Sequence, residues 1–133
     1  MNFMQSIAIV GSLVVAVPSS AQATCHIYEG RYASGTPMAT VDGDHLYLGR
    51  YASGTPTATI DDEHVYRGRY ASGTPIATLD NNLIYRGRYA SGTPLGIVEG
   101  NHIYQGRYAS GTPSATGDGC TPRELYFAAG ALF

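Results

Sequence analysis

Five copies of one phrase, Gly-Arg-Tyr-Ala-Ser-Gly-Thr-Pro, constrain this chain more than any other feature. They begin at Gly30, Gly49, Gly68, Gly87 and Gly106, 19 residues apart at every step. A period held without drift means one small structural unit repeated in space. Two cysteines then set the form of the array. Cys25 and Cys120 lie 95 residues apart, five times the repeat, so they occupy the same place in the unit, just before the first copy and just after the fifth. An open stack of hairpins at about 9–10 Å per unit would hold them about 45 Å apart. A disulfide needs Cα atoms within about 7 Å. The two positions meet only if the fifth unit returns to the first. The spacing therefore predicts a closed ring of five units, sealed by a Cys25–Cys120 disulfide worth about 4–5 kcal/mol through the long loop it closes.

The unit spanning residues 44–62 shows what is repeated. Residues 45–51 are rich in β-formers and read as a strand. Ala52-Ser53-Gly54-Thr55-Pro56 reads as a turn, with Gly54 free to take positive φ and Pro56 unable to donate to a ladder. Residues 57–61 form a second, shorter strand, and Asp61-Asp62-Glu63 turns the chain into the next copy. Helix is excluded here by the recurring Gly and Pro and the lack of a 3.6 period. A propeller blade needs four strands, more than 19 residues supply. The expected fold is all-β: a closed, shallow, five-fold symmetric barrel of five two-stranded hairpins. Residues 26–32 fold beside residues 114–118 to remove both free edges. Pairing Val41 with Leu46, Ile60 with Val65, Leu79 with Ile84 and Val98 with Ile103 puts Ala39, Ala58 and Ala77 on the same apolar face. Thr40 and Tyr47 then point the other way.

The two ends read differently. Residues 1–23 resemble a secretory signal: an apolar run over 7–17, then Ala21-Gln22-Ala23 as an A-x-A cleavage site. The competing readings are a membrane anchor, for which the run is too short, and a lipoprotein signal ending at Cys25, for which Gln22 and Thr24 are poor fits. Residues 24–119 form the barrel and residues 120–133 an apolar tail. Ten strands enclose more room than their own small side chains fill. In the tail, Thr121 as N-cap, Pro122 and Glu124 form a helix start, which would make a plug about 18 Å long. Alternatively, Phe127-Ala128-Ala129-Gly130 is in phase with Tyr32-Ala33-Ser34-Gly35 and marks a decayed sixth copy. The expected location is exported, in a bacterial periplasm or outside the cell, where two cysteines most simply make a disulfide.

Formal net charge is −2, and all eight basic residues are Arg. That balance argues against a nucleic-acid partner. Arg31, Arg50, Arg69, Arg88 and Arg107 form a ring of guanidinium groups suited to phosphate or carboxylate, or paired with the equally recurrent Asp42, Asp61, Asp80, Glu99 and Asp118. Tyr28, Tyr47, Tyr66, Tyr85 and Tyr104 form one aromatic ring, and Tyr32, Tyr51, Tyr70, Tyr89 and Tyr108 a second. Such rings bind sugars, lie at a membrane interface, or pack neighbouring hairpins. His26, His45, His64 and His102 share one repeat position, broken by Leu83. Equivalent positions stand about 9–10 Å apart, too far for a zinc site whose ligands must approach to about 2 Å. No cofactor and no metal are expected. Catalysis is not expected either, since an active site needs unlike residues converging at one place.

The run Ile-Tyr-x-Gly, then Ser-Gly, then a second apolar strand and an acidic turn, repeated in phase from Cys25 to Gly119, resembles the five-fold β-flower family. The resemblance implies a shallow barrel of hairpin petals around a channel in exported bacterial proteins. β-Flowers in turn resemble the Tubby C-terminal and scramblase barrels, which bind phospholipid around a central apolar helix. This is fold analogy, and no residue of such a lipid site can be matched here. The functional expectation is a non-catalytic binding module contacting lipid head group, glycan or partner protein at a ring face or in the channel, touching a membrane without spanning it. The alternative is a structural or self-associating envelope protein. A choline-binding type of open stack is disfavoured because the chain has no Trp.

Overall fold

Short runs of alternating inward and outward residues, each stopped by a residue at positive φ, build the molecule. The computed structural model describes residues 24–133; the signal expected at 1–23 lies outside the described residues. Ten strands follow one another: β1 (Cys25–Glu29), β2 (Ala39–Asp42), β3 (His45–Leu48), β4 (Ala58–Asp61), β5 (His64–Arg67), β6 (Ala77–Asp80), β7 (Leu83–Arg86), β8 (Gly96–Glu99), β9 (His102–Gln105) and β10 (Ala115–Asp118). Among the described residues a single helix, α1 (Pro122–Leu132), follows the last strand. The strands close into one antiparallel barrel in which β10 pairs with β1, as five hairpins require.

Each tight turn follows an acidic strand end and opens on a residue at positive φ. Asp42 pairs with His45 and Asp61 with His64, leaving two-residue loops. The first loop residue has positive φ, 64° at Gly43 and 62° at Asp62, a conformation that Gly takes freely and Asp tolerates better than most. The expected apolar register is the observed one: Val41 faces Leu46, Ile60 faces Val65, Leu79 faces Ile84 and Val98 faces Ile103. The first strand of each unit is shorter than the composition suggested. It stops at Leu48 rather than at residue 51, because Gly49 at φ 90° turns the chain off the sheet.

The seam matches the interior junctions. Gly30 N–H donates to Ser114 O at 2.9 Å, as Gly49 does to Met38 O at 2.9 Å. Cys25 and Cys120 are joined in a disulfide with Cα atoms 4.5 Å apart. This is the geometry that a 95-residue separation demands of a closed ring and that an open stack forbids.

Of the two readings of the tail, the helix is the one observed. Thr121 Oγ1 accepts from the Glu124 N–H at 3.2 Å, and the Thr121 N–H donates to Glu124 Oε1 at 2.7 Å. That is a reciprocal cap with Pro122 in the first turn. Arg123 ties this end to the tight turns, donating to Asp62 O at 3.3 Å and approaching Asp44 Oδ1 at 4.0 Å. The helix fills the barrel. Leu125, Phe127, Ala128 and Ala129 are buried against the inward residues of the strands. Gly130 lies so close to β5, β6 and β7 that a Cβ there would stand 3.0 Å from Ala77 Cβ and 3.2 Å from Val65 Cγ2. Pro37, Pro56, Pro75, Pro94 and Pro113, which read as turn residues, are buried as well.

Candidate functional site on the outer arms

Between the strands of adjacent hairpins the repeated phrase forms an arm, and the arm lies against the outside of the barrel. Two side chains hold it there. Thr40, on the outward side of β2, donates from Oγ1 to Gly49 O at 2.7 Å. Thr59 and Thr78 repeat the bond to Gly68 O and Gly87 O at 2.6 Å, and Thr116 makes it across the seam to Gly30 O at 2.6 Å. His26 bonds to Arg50 O at 3.2 Å, His45 to Arg69 O at 3.3 Å, His64 to Arg88 O at 3.2 Å, and His102 across the seam to Arg31 O at 3.2 Å. A carbonyl only accepts, so the histidine Nε2 carries the hydrogen. The recurring His is therefore an arm anchor, which sequence reasoning did not find. Its bond crosses from one hairpin to the next arm, a contact with no local signature.

These bonds separate the two tyrosine rings. Tyr28, Tyr47, Tyr66, Tyr85 and Tyr104 are half-buried on the strands. Four of them meet the anchoring histidines edge-on, as Tyr28 does His26 with ring centres 6.5 Å apart. Edge-to-face pairs of this kind stabilise packing. Tyr32, Tyr51, Tyr70, Tyr89 and Tyr108 ride on the arms and are 70–71% exposed. The second ring, not the first, presents aromatic surface to solvent.

Arg31, Arg50, Arg69, Arg88 and Arg107 sit beside these exposed rings and are exposed themselves. Their pairing with Asp42, Asp61, Asp80, Glu99 and Asp118 is not found: among the described residues the ion pair within 4.0 Å is Arg123 with Asp44. At four of the five arms a histidine holds the arginine by its backbone carbonyl, and the arginine side chains stay exposed. A cleft of about 570 Å³ opens where the arm that follows β3 lies over β1 and β2, lined by Thr24, His26, Thr40, Asp42, Arg50 and Tyr51. A second cavity of about 470 Å³ lies where α1 ends, beside Glu29, Met38, Gln105, Pro113 and the terminal Phe133. The expected ligand channel along the axis is occupied by α1. The sulfurs of Cys25 and Cys120 lie near the Glu124 carboxylate, but a disulfide has no thiolate to offer a metal.

A family model described as 6-fold beta flower protein matches residues 27–113. The chain belongs to the beta-flower family. The description counts six folds, whereas this barrel has ten strands, consistent with five hairpins. No curated protein and no solved structure matches the chain.

Proposed function

We propose that this protein is an exported, non-catalytic binding module of five-fold symmetry whose ligand is held on the outer arms. One observation carries the reading. Each arm displays a tyrosine 70–71% exposed beside an arginine with no carboxylate within 4.0 Å among the described residues. Five exposed tyrosines at one repeat position offer rigid aromatic surface with a polar tip, the kind enriched at binding surfaces. An unpaired guanidinium offers planar donors to a polar ligand. Export supports the same picture, since the disulfide needs an oxidising compartment. Five weak sites on one rigid ring would gain from a repetitive ligand, because each bound site raises the effective concentration for the next.

The test uses the full chain expressed in a bacterial host and recovered from the periplasm or medium. Its first residue is expected to be Thr24. Retention in the cytoplasm, or lipid on Cys25, would overturn the export assignment. Binding is read on glycan arrays and on vesicles, against a variant carrying Ala at all five arm arginines. Binding by the native chain that the variant loses supports the reading; equal behaviour of the two proteins removes it.

A further inference from the structure

We propose that the outer cleft between neighbouring hairpins is a site for one residue of a neutral glycan, in working form at four junctions and impaired at the fifth, where β7 meets β8. The proposal rests on the arms being the binding surface and names the chemistry of that site.

A sugar ring has an apolar C–H face and a rim of hydroxyls that both donate and accept. The cleft carries the complement of each. Tyr51 offers an aromatic face at 71% exposure, the Asp42 carboxylate only accepts, and the Arg50 guanidinium only donates. At about 570 Å³ the cleft has the size of a small-molecule site. Its two charges cancel, so nothing draws in a phosphate or uronate, and the carboxylate opposes one. A membrane surface is disfavoured independently. The arm tip Ala52-Ser53-Gly54-Thr55 has no large apolar side chain to enter a bilayer, and the chain has net charge −2. The repeat places the same three residue types at equivalent positions: Asp61, Arg69 and Tyr70; Asp80, Arg88 and Tyr89; and, across the seam, Asp118, Arg31 and Tyr32.

His26 and Thr40 also line the cleft, but His26 Nε2 is engaged with Arg50 O and Thr40 Oγ1 with Gly49 O, which makes them positioning residues. They also stand opposite each other on β1 and β2. The same His–Thr pair recurs as His45 with Thr59, His64 with Thr78, and His102 with Thr116. At the remaining junction Leu83 stands opposite Ile97. Both anchors are lost together there. Neither side chain can donate to Arg107 O or Gly106 O, so Tyr108 and Arg107 ride on an arm that lacks both tethers. Glu99 replaces the cleft aspartate as well. A less ordered arm must lose more conformational freedom when a sugar binds, and the fifth cleft binds more weakly.

The experiment is a residue-resolved NMR titration of the full exported chain. Probes are the neutral hexasaccharides of β-1,4-glucan, β-1,3-glucan, α-1,4-glucan and β-1,4-mannan. Hexagalacturonate serves as the acidic counterpart, phosphatidylglycerol vesicles as the lipid arm, and phosphatidylcholine vesicles carrying a neutral galactolipid distinguish a glycolipid head group from free glycan. A neutral probe is expected to shift the amides of Tyr32, Tyr51, Tyr70 and Tyr89 with a common Kd, and Tyr108 about fivefold more weakly, the worth of roughly one hydrogen bond. The double variant Leu83→His/Ile97→Thr is expected to tighten Tyr108 toward the common Kd, with Glu99 left as the remaining difference. The reverse pair His45→Leu/Thr59→Ile is expected to weaken Tyr70 alone, and the single Ile97→Thr serves if the double variant does not fold. Five equal arms in the native chain would overturn the impaired junction. Preference for hexagalacturonate or phosphatidylglycerol at the arms would overturn the neutral-glycan assignment while leaving the arms as a binding surface. No binding to any probe would remove both readings.

Discussion

The inside and the outside of this barrel carry the repeat differently. Along the inner face, one position reads Ile27, Leu46, Val65, Ile84 and Ile103, and another reads Val41, Ile60, Leu79, Val98 and Gly117. The exposed arm residues read Arg-Tyr-Ala-Ser-Gly-Thr in every copy. The variation has a physical cause. One helix at the centre of five hairpins presents a different surface to each, so the wall must adapt its volumes around it. Gly117 shows this most clearly. A Cβ there would collide with Leu125 Cδ2 and stand 3.0 Å from Cys120 Sγ. The room given up by the wall is filled by the helix and the disulfide. Among the described residues, four arms lie on the same His–Thr pair and the fifth on Leu83 and Ile97, and all five keep one sequence. Residues 31–36 are exposed, so their identity from copy to copy is not demanded by the core.

The contrast predicts that changes to the wall register as stability and changes to the arms register as binding. The largest effect belongs to the seam. Replacing both Cys25 and Cys120 with Ala frees a loop of 95 residues, an expected loss of about 4–5 kcal/mol on the entropy model. Denaturant unfolding of the variant, and of native protein with and without reductant, measures it. A midpoint unmoved by either treatment would mean that strand pairing between β10 and β1 closes the ring unaided.

Next comes the fit between wall and helix. Gly117→Val restores the size that the other hairpins carry but overpacks the seam, at an expected cost of about 1–3 kcal/mol. Adding Leu125→Ala should recover part of that loss, because the two side chains compete for one volume. Each change alone destabilises, so a pair less costly than the sum is the signature of direct contact. Strict additivity in thermal unfolding would show that the asymmetry of the wall has another origin.

How far this contrast could be read from sequence depends on which contacts are periodic. The closed ring, the disulfide, the apolar register from Val41–Leu46 to Val98–Ile103, and the cap formed by Thr121 and Glu124 all leave a fixed spacing in the chain. The arm does not. Gly49 reverses it onto the outer face, and its anchors Thr40 and His26 come from two strands, one of them in the preceding hairpin. Equal numbers of arm arginines and turn acids suggest ion pairs, yet Arg50 and Asp42 line one open cleft without meeting. Nor does composition distinguish Tyr47 from Tyr51, which are four residues apart; only the turn at Gly49 buries one and exposes the other. Leu83 stood out as the break in the His series, but its opposition to Ile97 needs the pairing of β7 with β8.

An intermediate effect is expected where wall and arm meet. Thr59 is 7% exposed and donates to Gly68 O at 2.6 Å. Thr59→Val keeps the shape and leaves that carbonyl unpartnered, an expected loss of about 1 kcal/mol. The same change at Ile97 runs in reverse: Ile97→Thr supplies the missing donor and should be neutral or stabilising. Chemical denaturation of the two variants checks the sign of each. Loss of stability in both would show that the β7–β8 junction is optimised for its apolar pair.

The smallest expected effect on folding is the one that matters most for function. Tyr51 is 71% exposed, so Tyr51→Ala removes little buried surface, and its cost should stay within about 0.5 kcal/mol. Tyr47→Ala, only four residues earlier, removes a half-buried ring that meets His45 edge-on at 6.4 Å. It should cost more, and by loosening His45 it should also release the arm at Arg69. Calorimetry of the two variants separates them on stability. A ligand titration then separates them on function, with Tyr51→Ala losing one cleft from a fold of native stability. If instead Tyr51→Ala unfolds the protein as readily as Tyr47→Ala, the arm ring is a packing element. The identity of the five arms would then reflect the demands of folding rather than those of a ligand.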